Sequence, residues 1–151
     1  MTVTDAVVAQ LVASLPANTG SLDVGWTATD IGVFDVAVPG IPPPRYVVVY
    51  CDSGARSAAA VDGSSRDQTY SIQVTSVASL PNSTSSAGPQ CRWLAEKVRD
   101  ALTDWRPAVA GLLLGPVRHV SERRPAIDES IIDRPLVFAV DQFAVQADRI
   151  S

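Results

Sequence analysis

Hydrophobic residues recur along the chain at two spacings, and these spacings separate the predicted helices from the predicted strands. In residues 5–15 and 89–102 apolar side chains repeat every three to five positions, which is the pattern of an amphipathic helix. Thr4 suits the N-cap of the first helix, and Pro16 stops it because proline has no N–H to continue the hydrogen bonding. Pro89 suits the first turn of the second helix.

Strand patterns occupy four other segments. Residues 45–50 are valines flanked by tyrosines after an arginine, a composition typical of a strand in the middle of a sheet. Residues 67–77 alternate between apolar and polar side chains, which indicates a strand with one dry face and one polar face. Two further strands are predicted at residues 109–114 and 136–145.

Three long segments lie between these elements. Residues 17–45 are irregular and rich in proline and glycine, although residues 33–38 are apolar enough for a short strand or extended segment. Residues 52–66 predict a loop or hairpin tip, and residues 118–135 predict a long charged loop. Connections longer than about 12–15 residues are uncommon in compact domains and are usually functional or disordered. We therefore expect the charged loop to be mobile in the free protein and to become ordered against a partner.

These elements predict a single α+β domain over residues 1–151. Its expected architecture is a two-layer sandwich of about four mostly antiparallel strands, with two helices on one face and long loops. A chain of 151 residues, 46% of them hydrophobic, is large enough to bury a core of its own. Only 19% of the residues are charged, against about 25% in an average domain. The low charge fits either a surface covered by neighbouring subunits or simply a high content of alanine and valine.

Charge, apolar runs and cysteine count exclude several classes of protein. A net charge of −4 would repel a phosphate backbone, so we do not expect a protein that grips nucleic acid. No apolar run approaches the ~20 residues that span a bilayer, and no basic region precedes an apolar stretch at the N-terminus. We therefore expect neither a membrane span nor a secretory signal, and synthesis in the cytoplasm. Cys51 and Cys91 are expected to be small buried hydrophobes rather than a disulfide or a ligand pair.

Candidate catalytic and metal-binding groups are sparse. Residues 63–65 lack the G-x-S-x-G frame of a nucleophile elbow, and no glycine-rich phosphate-binding pattern is present. The single histidine, His119, cannot form a His-based metal site, although it could act as a base. Asp128, Glu129 and Asp133 could bind a divalent ion weakly, but arginines lie among them and favour a mixed-charge surface. We expect no catalytic residue, no cofactor and no metal.

An ordered series of motifs resembles a family of phage proteins. The series begins with the aromatic-Asp pair Phe34-Asp35, the Val-Pro pair Val38-Pro39 and the proline run 42–44. The valine strand 45–50 and the alternating strand 67–75 follow. The series ends with the helix start Cys91-Arg92-Trp93 and the apolar strand 137–141. In this order and spacing the motifs resemble the tail terminators of long-tailed bacteriophages of actinobacteria. The resemblance covers most of residues 33–145 and leaves out the N-terminal part with Trp26, an aromatic that could anchor a partner.

The resemblance implies a structural virion protein rather than an enzyme. Such a protein forms a ring, typically of six copies, that caps the tail tube, ends tube polymerisation and presents the surface that joins the head. Its implied partners are copies of itself, the tail tube protein and a head–tail connector or stopper, in the tail or neck of the virion and in the host cytoplasm during assembly. DNA would pass through the lumen without specific binding, and six copies at −4 each would carry −24 formal charges, which suits such a passage.

A ring that closes head to tail needs two different patches on each subunit. The residues expected at interfaces are Asp62, Arg66, Thr69, Ser71, Gln73, His119, Glu122, Arg123, Arg124, Asp128 and Glu129. Two alternatives remain open. One is another structural role, as a head–tail stopper or connector or a tube-like subunit. The other is a small enzyme or ligand-binding domain with a site around His119 and Asp128.

Overall fold

The computed structural model describes residues 1–15, 31–38, 40, 44–52, 67–79, 84–128 and 136–149. Two helices and six strands follow in the order α1 (Val3–Ser14), β1 (Gly32–Asp35), β2 (Arg45–Asp52), β3 (Asp67–Ser79), α2 (Thr84–Leu102), β4 (Leu112–Leu114), β5 (Arg118–Asp128) and β6 (Leu136–Arg149). The predicted α+β class and its two helices are confirmed. The predicted strand count of about four is wrong, because the described part of the chain already contributes six strands to the sheet.

One mixed sheet holds all the strands. Its order is β1-β2-β3-β6-β4, and β5 also pairs with β6. β1 runs parallel to β2, whereas the other pairs are antiparallel, so the predicted layout is only partly right. β3 pairs along the whole of one side of β6, which leaves the other side to β5 at residues 136–144 and to β4 at residues 147–149. Among the strands that the structure describes, β1 therefore lies at one edge of the sheet and β5 at the opposite edge.

The main core lies between the two helices and one face of the sheet. It contains apolar side chains from α1, α2, β2, β3, β4 and β6, with Leu11, Leu94, Val47, Ile72, Val74 and Phe143 fully buried. Each such side chain contributes about 1.5–3 kcal/mol by leaving water. Neither helix in the described part of the chain is long and apolar enough to cross a membrane.

A second apolar cluster lies on the opposite face of the sheet, which we call the outer face. Tyr46, Val48 and Val77 are its buried members, and Phe34, Leu136 and Phe138 pack against them. The sheet is therefore dry on both faces at this end. This explains why β2 is a continuous run of apolar residues instead of an alternating one.

The largest correction concerns the predicted charged loop, because residues 118–128 form strand β5. Nearly every side chain of this strand is exposed, so its sequence carries no apolar alternation. Register shifts interrupt its pairing with β6 between His119 and Ser121 and between Arg123 and Ala126. Backbone hydrogen bonds to β6 therefore stabilise this strand, and backbone pairing of this kind leaves no pattern of hydrophobic residues in the sequence. Residues 129–135 of the predicted loop lie outside the described residues.

Two predicted strands are shorter in the structure. The segment predicted at residues 33–38 is a strand only to Asp35, because Val36 has a φ of 60° and leaves the extended region. The strand predicted at residues 109–114 is confined to Leu112–Leu114. A turn through Gly111, whose φ is 82°, precedes it and is closed by a bridge from Val109 to Leu112. The predicted irregular segment from residue 17 to 30, with Trp26, and the loop from residue 53 to 66 lie outside the described residues.

Both helices begin earlier than predicted. Thr2, not Thr4, is the N-cap of α1, because its hydroxyl accepts from the Asp5 backbone N–H while the Asp5 carboxylate accepts from the Thr2 N–H. α2 begins at Thr84, so Pro89 lies inside the helix rather than in its first turn. Small buried residues of this part of α2 pack against small and branched residues of the sheet: Ala87, Cys91, Ala95, Ala78, Val137 and Ala139. This packing stabilises the extra turns despite the lost hydrogen bond of proline.

Candidate functional site

The predicted polar face of β3 lies on the outer face of the sheet, away from the helices. Thr69 and Ser71 are exposed, and Gln73 is half-buried. Gln73 lies opposite Gln142 of β6, and the Gln142 amide donates a hydrogen bond of 3.4 Å to the Gln73 side-chain oxygen. The structure therefore brings these three predicted interface residues together on one surface with Gln142, which the sequence did not single out.

A shallow depression of about 280 Å³ opens beside this polar surface. Val36, Tyr50 and Asp52 line it on the side of β1 and β2, and Ser71, Gln73 and Gln142 line it on the side of β3 and β6. Val36 is 58% exposed and Tyr50 is 40% exposed. Pockets for small molecules are usually about 300–1,000 Å³ and largely enclosed. A small open depression with exposed apolar side chains fits contact with a protein surface better.

His119 and Glu122 take part in a cluster of charged side chains on the helix side of the sheet. In the β5–β6 pairing His119 lies opposite Phe143, and Glu122 lies opposite Asp141. Arg99, in the last turn of α2, approaches from above. Its Nη1 lies 3.0 Å from Glu122 Oε2, and its Nε lies 3.1 Å from Asp141 Oδ1. His119 Nε2 lies 2.9 Å from the same Asp141 oxygen.

Asp141 is the buried member of this cluster, with 1% of its side chain exposed. Burial raises the pKa of Asp141 above its usual value, and the hydrogen bond from His119 and the charge of Arg99 oppose that rise. The Arg99 Nε–H does not point at the carboxylate, so this contact is an ion pair without an aligned hydrogen bond. Asp141 Oδ2 has no hydrogen-bond partner in the part of the chain that the structure describes. The carboxylate therefore depends on Arg99 and His119 for compensation of its charge.

The cluster suits a structural clamp better than a metal site. Ligand atoms of His119, Glu122 and Asp141 lie within 4.8 Å of one another, which would allow an ion to be shared. The Arg99 guanidinium already lies about 3 Å from both carboxylates, however. A divalent cation would have to displace this positive charge. The four side chains therefore connect the first half of β5, at residues 119–122, to α2 and β6. We call this half the base of β5.

The predicted alternative site around His119 and Asp128 is wrong, because the two residues lie far apart on the same strand. Their partners on β6, Phe143 and Leu136, are seven positions apart, and an antiparallel strand rises about 3.4 Å per residue, which separates His119 from Asp128 by roughly 24 Å. The acid that meets His119 is Asp141. The sequence could have identified Asp141. It lies midway between Ala139 and Phe143 on the face of the alternating strand that is buried, where a carboxylate needs a partner.

The other predicted interface residues are spread along β5 or lie outside the described chain. Arg123 and Arg124 are exposed, and neither forms an ion pair among the residues that the structure describes. Asp128 is half-buried at the end of the strand. Asp62, Arg66 and Glu129 lie outside the described residues.

A larger open depression, of about 750 Å³, lies between the start of α1 and the turn before β4. Thr2, Cys51, Tyr70 and Leu112 contribute to its wall, and His119 lines neither this depression nor the smaller one. Cys51 and Cys91 are free thiols, and burial raises the pKa of both. Cys91 is fully buried, whereas Cys51 is only partly buried.

Comparison with known proteins shows similarity at the level of the fold. No protein-family model matches the chain, and no curated protein sequence matches it. Among solved structures, the chain is similar to a chain of the virion of a native gene transfer agent particle, with a TM-score of 0.56 and 19% sequence identity. The match covers 95% of this chain and 94% of that chain. The two proteins therefore share one fold from end to end.

Proposed function

We propose that this chain is a structural protein of a phage-like virion. More specifically, we propose that it is the tail terminator, which forms a ring on the end of the tail tube, stops tube growth and presents the surface that joins the head. The observation that carries the proposal is the fold likeness to a chain of a gene transfer agent virion over nearly the full length of both proteins. The resemblance of residues 33–145 to phage tail terminators supports the more specific role.

The chemistry of the described residues agrees with a role in assembly. The single histidine contacts a buried carboxylate and the edge of the Phe143 ring, at 5.2 Å between ring centroids, and lines neither depression. A general base must reach the proton of a bound substrate, and His119 is instead part of the clamp on β5.

The shape of the sheet supports assembly by a head-to-tail contact. β1 and β5 lie at opposite edges, and they differ in charge and in exposed side chains. A contact between two different patches closes into a ring when the rotation between subunits divides a full turn. An outer face with polar and apolar side chains is available between the two edges for the tube or for the neighbouring component of the neck.

Electron microscopy and light scattering of the purified protein test the proposal, together with an assay of tube length. We expect closed rings of about six copies, and we expect tail tube subunits that polymerise in the presence of the protein to give shorter, capped tubes than tube subunits alone. Growth of the protein into fibres would indicate a tube-like subunit instead. Binding to connector rings without any effect on tube length would indicate a stopper or connector.

A further inference from the structure

β5 is an exposed, basic edge strand. All its side chains from Val120 to Ile127 are exposed, including Val120 at 62% and Ile127 at 55%. The strand carries three arginines and two acidic residues, a net +1, which leaves −5 for the rest of a chain whose total is −4. Exposed apolar side chains lie here beside Arg123 and Arg124, and these arginines form no ion pair with any residue that the structure describes. Such a mixture of apolar side chains and arginines is typical of a contact surface.

The opposite edge of the sheet carries the complementary features. Asp35 at the end of β1 and Asp52 at the end of β2 are exposed. β1 and β2 run parallel and Asp35 lies opposite Val49, three residues before Asp52, so both acids lie at the same end of this edge. The exposed side chains of Val36 and Tyr50 line the 280 Å³ depression, and Asp52 lines it with them. We call Asp35, Val36, Tyr50 and Asp52 the acidic edge.

We propose that β5 of one copy docks onto the acidic edge of a second copy of this chain. This inference rests on the proposed function, because it names the contact that would close the ring. Charge complementarity favours a copy of the chain as the occupant: Arg123 and Arg124 meet Asp35 and Asp52, while Val120 or Ile127 meets the apolar wall of the depression. The two patches lie at opposite edges of one sheet. Each copy can therefore bind one neighbour through β5 and a second neighbour through the acidic edge, so the contact repeats head to tail.

The geometry of β5 indicates that side chains, rather than an added strand, make this contact. Two register shifts interrupt the strand, and Pro125 removes a backbone N–H near its tip. Bulges, proline and charges are devices that prevent open-ended pairing of edge strands. Because strand addition is disfavoured at this edge, the arginines and apolar side chains determine how two copies are oriented. A single fixed orientation is what a ring of fixed size requires.

Charge reversal in both patches tests the inference. Sedimentation velocity would compare the natural chain with R123E/R124E, with D35K/D52K and with the variant that combines all four changes. We expect each double variant to weaken self-association by more than about 100-fold, because like charges then face each other. We expect the combined variant to regain most of it, because the reversed charges again attract. R92E/R106E and E96K/D100K carry the same charge changes at exposed positions outside both patches and are the matched controls.

The outcomes separate this inference from the proposed function. Weakening by both double variants with recovery in the combined variant, while thermal melts show all proteins folded, supports the docking of β5 onto the acidic edge. Self-association of R123E/R124E that equals that of the controls overturns it and leaves the terminator role to the tube-length assay. A natural chain that stays monomeric up to millimolar concentration, yet still shortens tubes, also overturns the docking contact without overturning the role. A protein that neither self-associates nor shortens tubes overturns both.

Discussion

Removal of the Arg99 guanidinium should destabilise the protein by leaving a buried carboxylate poorly compensated. Arg99→Met keeps an aliphatic side chain of similar length over the sheet and removes only the charge and the hydrogen-bond donors. Asp141 would then retain the contact with His119 Nε2 at 2.9 Å and lose the Arg99 Nε at 3.1 Å. The perturbation therefore isolates the electrostatic part of the clamp on β5.

The size of the effect follows from the burial of the three charged groups. Removing one partner of a fully buried pair costs about 3–5 kcal/mol. Here Asp141 is 1% exposed, but Arg99 is 36% exposed and Glu122 is 56% exposed. Solvent screens the two exposed groups, so we expect the free energy of unfolding at neutral pH to fall by about 1–3 kcal/mol. Asp141→Asn should lower the free energy of unfolding by less, because Arg99 would still contact Glu122 and remain partly exposed to water. The double variant Arg99→Met/Asp141→Asn should be more stable than Arg99→Met alone.

The dependence on pH has a definite sign. Burial raises the pKa of Asp141 in the folded protein above its pKa of about 3.8 in the unfolded chain. The contribution of this carboxyl to stability is therefore complete below pH 3.8, and it is lost as the pH rises through the pKa of the folded state. Removal of the Arg99 charge raises the pKa of Asp141 further. The deficit of Arg99→Met relative to the natural chain should therefore be largest at neutral pH and should shrink as the pH falls towards 4.

Urea unfolding at several pH values measures this effect, and hydrogen exchange locates it. We expect faster exchange of the backbone N–H groups at the base of β5, with little change in β3. Arg92→Met, at an exposed position of the same helix, is the matched control. Equal stability of Arg99→Met and the natural chain at every pH would refute the reasoning, because Asp141 would then be compensated without Arg99.

Three further outcomes follow from the local structure. Thr2→Ala should lower the free energy of unfolding by about 1 kcal/mol through loss of the capping box, whereas Thr2→Ser should not; urea titration measures both. Phe143→Ala should lower it by about 3–5 kcal/mol because it leaves a cavity in the main core, and a loss below about 1 kcal/mol would show that the site collapses freely. Burial raises the pKa of Cys91 to about 12, so its thiol should react with a chromogenic disulfide at pH 8 only after unfolding, and later than Cys51. Equal reaction rates for the two thiols in the folded protein would contradict this.

Local sequence patterns were sufficient where a side chain's environment repeats along an element. Apolar periodicity located both helices, although the capping of α1 by Thr2 and the small-residue packing of α2 moved their starts. Alternation located β3 and its polar outer face, and a continuous valine run located β2. These patterns succeed because burial of one face against a core imposes a fixed spacing on the chain.

Tertiary structure decided everything that depends on which strands meet. β5 has no buried face and therefore no periodic signal, yet pairing with β6 makes it a strand at the edge of the sheet. The same pairing sets His119 against Asp141 instead of Asp128, and the approach of α2 adds Arg99 to the pair. Sequence spacing records only neighbours within an element. Contacts between distant segments depend on backbone pairing and on the direction from which a helix crosses the sheet, and neither leaves a repeat in the sequence.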